Sequence, residues 1–239
     1  MSSYVIATLI LCIIVSTIFT IFSFKKNLAN LFLKTLSSML FTILGLFSLY
    51  YFIKYGGLET EHNRVIGAFL TFAGLLVCLI GDMILGMPRI SELKRDRLPI
   101  IVGGATWFTL GHIIYCTALI MIFGIQTWTL AIALPLSIFY TFGNMLFGKL
   151  DYSKLTIGVF LYSLLESLSY SLCIMALIQT KSLASLLLAI GFTFFFFSDM
   201  VLMHNYFGKP KRIISILCHA TYYPAQILIA LSIAYFAFV

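Results

Sequence analysis

The stretch LASLLLAIGFTFFFFSDMVLM, residues 183–203, decides the fold because it is long, apolar and interrupted by one ionisable side chain, Asp199. A helix needs about 20 consecutive apolar residues to cross a bilayer, so this stretch predicts a transmembrane helix. A charged side chain at membrane depth costs about 2.5–3.5 kcal/mol on insertion scales. Asp199 is therefore a candidate functional residue.

Composition places the rest of the chain in a membrane as well. Of its 239 residues, 62% are hydrophobic and 10% are charged, whereas soluble domains carry about 25% charged residues. The apolar residues form long blocks separated by short polar connectors that contain Gly and Pro. We predict an all-α integral membrane bundle of eight transmembrane helices, folded as a single domain over residues 1–239. The blocks lie near residues 4–22, 31–53, 65–86, 100–123, 128–147, 155–178, 183–205 and 212–238.

Basic residues are distributed unequally between the connectors, and this asymmetry predicts the orientation of the bundle. Twelve of the 15 Lys and Arg residues lie in or beside the connectors that follow odd-numbered blocks, four of them between Pro88 and Pro99. By the positive-inside rule these connectors are cytoplasmic and both termini lie outside. Topology thus explains the net charge of +7, and we expect no nucleic-acid partner. We expect a multi-pass protein of the cell (plasma) membrane.

Three of the eight acidic residues fall inside the predicted spans: Asp82, Glu166 and Asp199. Asp82 lies four residues before Gly86, and Asp199 lies six residues before Asn205. At a rise of 1.5 Å per residue, both carboxyl groups lie about 6–9 Å from the cytoplasmic ends of two helices that run in the same direction. The sequence therefore predicts that the two aspartates share one depth in the cytoplasmic half of the bundle.

Other polar residues in the spans recur at intervals of three or four residues, which places them on common helix faces. The alternative explanation is that they only tie helices together, since Asn, Ser and His form interhelical hydrogen bonds in bilayers. That explanation is favoured for Asn144, and His204 and His219 are expected at the membrane interface. For His112 and Gln226 both explanations remain open. The two stripes are Tyr162, Glu166, Ser169 and Cys173, and His219, Tyr222 and Gln226.

Two aspartates at one depth can act as an acid–base pair. Burial favours the protonated form of a carboxyl group, and a second carboxylate nearby favours it further. One member can then donate a proton while its ionised partner activates water. Phe195 and Phe196 lie one helical turn before Asp199. We expect them to form a dry wall that keeps the proton on this residue.

Four motifs in order resemble the lysoplasmalogenase family of membrane proteins (YhhN-type): LIGDMIL, FTLGHIIY, FFFFSDMVL and TYYPAQILIA. The resemblance covers most of the chain. It implies hydrolysis of the vinyl ether bond of lysoplasmalogens, which releases a fatty aldehyde and glycerophosphoethanolamine or glycerophosphocholine. Pro224 departs from the aliphatic residue expected at its position, and Glu166 matches no family motif. The family residues fall on Asp82, Asp199, His112, Tyr115, Tyr222, Tyr223 and Gln226.

The chemistry of a vinyl ether suits this set of residues, because hydrolysis needs a positioned acid and a carboxylate rather than a metal. We assign Asp199 as the acid and Asp82 as the base or electrostatic partner, with the reverse assignment open. The four histidines are dispersed, so we expect no three-ligand zinc site and no cofactor. The expected partners are a lysophospholipid substrate and membrane lipids. The predicted substrate contacts are His112, Tyr115, Asn144, Glu166, Tyr222, Tyr223 and Gln226. At the cytoplasmic rim, Arg89 or Arg212 is a weaker candidate for the phosphate.

Two other functional classes use buried acidic residues. An intramembrane aspartyl protease would carry a Gly-x-Gly-Asp motif, but Leu79 occupies the position of its first glycine. A proton- or cation-coupled transporter or receptor would use the acids as ion sites, and the similar contexts GDMIL and SDMVL allow a parallel repeat. A transporter would favour helices broken at midspan, and the blocks that hold Asp82 and Asp199 show no such break.

Overall fold

A computed structural model describes residues 3–25, 27–56, 61–87, 97–209 and 211–239, and within these ranges it contains helices and no strand. Eight helices are long and apolar enough to cross a membrane, which confirms the predicted fold class. Arg89 and the rest of the connector up to Asp96 lie outside the described residues. The helices are α1 (Ser3–Phe22), α2 (Leu28–Lys54), α3 (His62–Gly86), α4 (Arg97–Phe123), α5 (Trp128–Ile138, extended to Leu146), α6 (Thr156–Thr180), α7 (Leu183–Phe207) and α8 (Arg212–Ser232, followed by a 3₁₀ turn Ile233–Phe238).

Large apolar side chains cover the outside of the bundle. Ile10, Ile14 and Leu134 are about half exposed, and Phe147 and Ile157 are exposed further. A soluble monomer rarely presents continuous apolar surface of this kind. These side chains therefore face lipid, and the polar residues lie in the interior.

Helix α2 begins earlier than its hydropathy indicates. The side chain of Asn27 caps the helix by accepting a hydrogen bond of 2.9 Å from the backbone N–H of Asn30, which satisfies a free donor of the first turn. Lys34 therefore lies about 9 Å inside the helix at 1.5 Å per residue, and its side chain is buried.

Glycine residues let α3 and α4 approach closely. A Cβ atom at Gly74 would overlap the ring of Tyr115, and one at Gly81 would overlap the ring of Phe108. Small residues at helix interfaces allow this close packing in membranes. Because Gly81 directly precedes Asp82, the α3–α4 contact fixes the position of that carboxyl group.

Helix α5 changes its winding after Pro135. The chain passes through a π-helical turn at Phe139–Gly143 before a last short α-helical segment. Proline lacks an N–H and disrupts the hydrogen-bond ladder around it. Tyr140, within the turn, is fully buried against the ring of Phe196 on α7.

Helices α7 and α8 pack as an antiparallel pair, and α8 also packs against α2. The Ser198 hydroxyl donates a hydrogen bond of 3.0 Å to the carbonyl oxygen of Cys218. Phe195 and Phe196 are buried as expected, whereas Phe194 and Phe197 are 37% and 53% exposed. The run of four phenylalanines thus divides between the interior and the lipid.

Candidate active site

A cavity of about 370 Å³ lies at the end of the bundle that carries the α1–α2, α5–α6 and α7–α8 connectors, called the basic end below. Asp82 on α3 and Asp199 on α7 both line this cavity. Lys211 and Arg212 line it as well and are exposed at the start of α8. The structure therefore brings the two predicted aspartates to one polar cavity with cationic side chains at its rim.

Asp82 is surrounded by partners suited to a charged carboxylate. The Lys34 ammonium lies 3.1 Å from Oδ1, and both side chains are buried. The hydroxyls of Ser38 and Tyr222 donate hydrogen bonds of 2.8 and 2.6 Å to Oδ2. An ion pair survives burial when further hydrogen bonds satisfy its remaining lone pairs, and this is the arrangement here. Asp82 is thus held by one cationic side chain and two hydroxyl donors from α2 and α8.

Asp199 has different surroundings although it lines the same cavity. Its Oδ2 accepts a hydrogen bond from the hydroxyl of Tyr162 on α6. Among the described residues, no Lys or Arg forms an ion pair with it. The Phe195 ring on the same helix packs edge-to-face against His112, with 4.8 Å between ring centroids. One aspartate is therefore paired with a cation, and the other lies in an aromatic and uncompensated environment.

Glu166 and His112 lie beside Asp199. One ligand-type atom from each of the three residues falls within 4.8 Å of the others. His112 Nδ1 lies 3.2 Å from the Ser169 hydroxyl, and its Nε2 is buried without a hydrogen-bond partner within the described chain. Neither carboxyl oxygen of Glu166 has a hydrogen-bond partner in the same part of the chain.

These three residues are also the place where a metal ion would be held. Zinc ligands at 2.0–2.2 Å from a tetrahedral ion lie only about 3.3 Å from one another, so any pair of these atoms near the 4.8 Å limit would have to move closer. The expectation of no metal rested on the dispersed histidines and took no account of two carboxylates joining one histidine. It stays a prediction.

A chain of hydrogen bonds connects α4 to Asp82 through α8. The Tyr115 hydroxyl donates to Gln226 Oε1 over 3.3 Å, and Gln226 Nε2 donates to the Tyr222 hydroxyl over 3.1 Å. Tyr222 then donates to Asp82. Helix α8 continues through Pro224, and Gln226 is fully buried. The proline therefore does not remove Gln226 from the polar network.

The predicted substrate contacts occupy different positions. Tyr222 lines the cavity, whereas His112, Tyr115, Glu166 and Gln226 lie behind its wall. Their contact with substrate stays a prediction.

Two other predicted contacts lie elsewhere. The Tyr223 hydroxyl donates to the Lys34 carbonyl oxygen over 3.5 Å. Asn144 lies at the end of α5, away from the cavity lining, and its carbonyl oxygen accepts a hydrogen bond from the Leu150 N–H. These positions fit a structural role, and the prediction of direct substrate contact remains untested.

Sequence reasoning did not identify Lys34 and Ser38 as partners of Asp82, and it misplaced His219. Lys34 is one of the twelve basic residues assigned to the connectors as topology signals, although it lies inside the predicted block 31–53 and four residues before Ser38. A search for basic as well as acidic residues within the blocks would have found it. His219, expected at the interface, is buried and lines the cavity, and its Nδ1 lies 2.7 Å from the Ser215 carbonyl oxygen.

Comparison with known proteins gives one match. No curated protein and no solved structure matches the chain. The sequence pattern of the YhhN family matches residues 29–233, a range that runs from the start of α2 to the end of α8 and includes both aspartates. The protein therefore belongs to the YhhN family.

Proposed function

We propose that this protein hydrolyses the vinyl ether bond of lysoplasmalogens to a fatty aldehyde and glycerophosphoethanolamine or glycerophosphocholine. Membership of the YhhN family is consistent with a hydrolase of this type. The observation that carries the proposal is the contrast between two buried aspartates on one cavity: Asp82 is paired with Lys34, and Asp199 forms no ion pair with a Lys or Arg in the described part of the chain.

The reaction requires an acid that protonates carbon. Transfer of a proton to the β-carbon of the vinyl ether leaves an oxocarbenium-like centre at the carbon bonded to oxygen. Water adds to that centre and loses a proton, which gives a hemiacetal. Collapse of the hemiacetal breaks the bond to the glycerol oxygen and releases the aldehyde. The protein must therefore supply one proton donor, one proton acceptor and a negative charge near the developing cation.

Asp199 is suited to the role of acid. A buried carboxyl group without a cationic partner is costly to ionise, and Glu166 beside it adds a second acidic group. Both features support a protonated Asp199 that can donate to the β-carbon. The phenol of Tyr162, which hydrogen-bonds to Asp199, would orient the carboxyl group.

Asp82 is suited to the complementary role. Its pairing with Lys34 and its two hydroxyl donors maintain a negative charge in the cavity. That charge stabilises the oxocarbenium-like centre, and the carboxylate accepts the proton of the attacking water. When the hemiacetal collapses, Asp82 returns this proton to the glycerol oxygen and the hemiacetal hydroxyl reprotonates Asp199. Both groups then regain their starting states.

The remaining polar groups would position water and the glycerol part of the substrate. Tyr222 contacts both Asp82 and Gln226, which makes it the best placed of them. Lys211 and Arg212 at the cavity rim would attract the substrate phosphate. If the basic end is cytoplasmic, as the distribution of Lys and Arg predicts, the site faces the cytoplasmic leaflet.

The direct test compares two lysolipids that differ only in the bond attacked. Purified protein should release aldehyde from a 1-alkenyl lysolipid and leave the saturated 1-alkyl lysolipid of equal length intact, because the latter has no alkene to protonate. Asp82→Asn and Asp199→Asn should each lower turnover by about 100-fold or more, since acid–base groups contribute about 10²–10⁴-fold. Asp151→Asn, on an exposed turn, is the matched control. Lack of aldehyde release by wild-type protein would refute the proposal.

A further inference from the structure

A second cavity, of about 300 Å³, lies between α4, α6 and α7 next to the polar cavity. Among the described residues its lining contains no charged side chain. The hydroxyls of Thr106 and Thr109 on its wall donate to the Val102 and Ala105 carbonyl oxygens of their own helix, over 2.9 and 2.8 Å. The cavity therefore presents an apolar surface of a size typical of ligand sites.

The two cavities share part of their walls. Leu85, Phe108, Leu202 and Tyr206 line both of them. Tyr162, whose hydroxyl donates to Asp199, lines the apolar cavity as well. The two cavities are therefore adjacent, and Tyr162 connects the wall of the apolar cavity to the carboxyl group of Asp199.

The apolar cavity reaches the lipid-facing surface of the bundle. Val102 on α4 and Leu161 on α6 line it and are 41% and 54% exposed. Gly158, one turn before Tyr162 on α6, also lines it, and a Cβ atom there would meet nothing within 4 Å. The absence of a side chain at Gly158 leaves space between the membrane and the cavity interior.

We propose that the apolar cavity binds the hydrocarbon chain of a single-chain glycerophospholipid, with the head group in the polar cavity near Lys211 and Arg212. This inference rests on the proposed function and adds the orientation of the substrate. It also identifies residues that set chain-length preference, because each methylene buried in this cavity makes apolar contacts that favour binding. A lysolipid fits the arrangement because its single chain and its head group match an apolar cavity that adjoins the polar cavity lined by the two aspartates.

Gly158→Phe tests the proposal by adding a ring to the cavity wall at a position where a Cβ atom meets nothing within 4 Å. Turnover of 1-alkenyl lysolipids with a long and a short chain is compared in the same detergent. For monomeric substrate that enters from water, each methylene kept out of the cavity should lower kcat/KM for the long chain about fourfold, so loss of two should reduce the long-to-short ratio about 15-fold. Gly158→Ala is the control for the loss of glycine itself. Ala131→Phe, at an exposed position on α5, is the control for a phenyl ring added outside the cavity.

An unchanged long-to-short ratio in Gly158→Phe, or an equal loss for both substrates, would overturn the inference. Activity of the wild-type protein in the same experiment would leave the proposed hydrolysis intact. The experiment can therefore refute the chain-binding site without refuting the proposed hydrolysis.

A binding measurement that needs no turnover tests the chain site independently of the proposed hydrolysis. All five native cysteines are buried, so the thiol of Gly158→Cys in nanodiscs should be the main site of maleimide labelling. A long-chain saturated-ether lysolipid should slow this labelling at least fivefold, and glycerophosphocholine, which has no chain, should not. Equal labelling rates with both compounds would contradict the chain site. Protection without hydrolysis in the wild-type protein would support the chain site and refute the proposed reaction.

Discussion

Replacement of Lys34 by Met should destabilise the protein and inactivate it through Asp82. The two charged groups lie 3.1 Å apart in the interior, and at an effective dielectric constant of 20 their attraction is about 5 kcal/mol. Breaking a buried pair by removing one partner costs about 3–5 kcal/mol, because the remaining charge is left without compensation. We therefore expect Lys34→Met to lower the free energy of unfolding by about 3–5 kcal/mol.

The double variant distinguishes loss of a charge pair from loss of packing. In Lys34→Met/Asp82→Asn the uncompensated charge is gone, and removal of both partners of a buried pair is often neutral. This variant should regain most of the lost stability but none of the activity. The assay is denaturant or thermal unfolding in one detergent, analysed as a double-mutant cycle, together with aldehyde release.

Lys154→Met, at an exposed position in the connector before α6, is the matched control and should differ little from the wild type. The reasoning fails if Lys34→Met is as stable as the wild type. It also fails if the double variant is no more stable than the single variant, because the interaction at 3.1 Å would then not be a compensated charge pair.

Three further predictions follow from other parts of the molecule. Phe195→Ala should lower the free energy of unfolding by about 3–5 kcal/mol because the Phe195 ring is fully buried. Phe197→Ala should lower it far less because the Phe197 ring faces lipid. Equal losses of stability in thermal unfolding would contradict the assignment of Phe195 to the interior and Phe197 to the lipid. Prolonged treatment with a chelator should leave turnover unchanged if His112, Glu166 and Asp199 hold protons rather than a metal, and metal-dependent recovery of lost activity would refute this. In intact cells, a membrane-impermeant maleimide should label Ile125→Cys from outside and should not label Lys154→Cys, and the reverse pattern would invert the predicted topology.

The helices could be predicted closely because their signal is strong and local. The predicted block 183–205 became Leu183–Phe207, and 65–86 became His62–Gly86. Differences at the ends come from features that hydropathy does not register. The Asn27 cap, for example, starts α2 three residues before its predicted block.

Part of the site could be predicted for a related reason. An ionisable residue inside an apolar block is conspicuous, and Asp82 and Asp199 were found in this way. The polar stripe on α6 also faces inward, since Glu166 and Ser169 are both buried.

What could not be predicted depends on contacts between helices. The partners of Asp82 come from α2 and α8, which are distant in sequence. The residues around Asp82 in the sequence do not indicate that it pairs with Lys34. The residues around Asp199 likewise do not indicate that it lies beside another acidic residue, Glu166. The electrostatic difference between the two aspartates is a property of the packed bundle.

The central claim is that an acid of the protein transfers a proton to carbon, and hydrolysis in heavy water tests it most directly. If Asp199 protonates the β-carbon, that proton derives from solvent, and one deuterium should appear at the carbon next to the aldehyde carbonyl. Mass spectrometry at short reaction times, with unlabelled aldehyde incubated in parallel to measure exchange through the enol, gives the result. We predict one deuterium per aldehyde at that carbon from the first turnovers, and aldehyde without label above the exchange control would contradict the account.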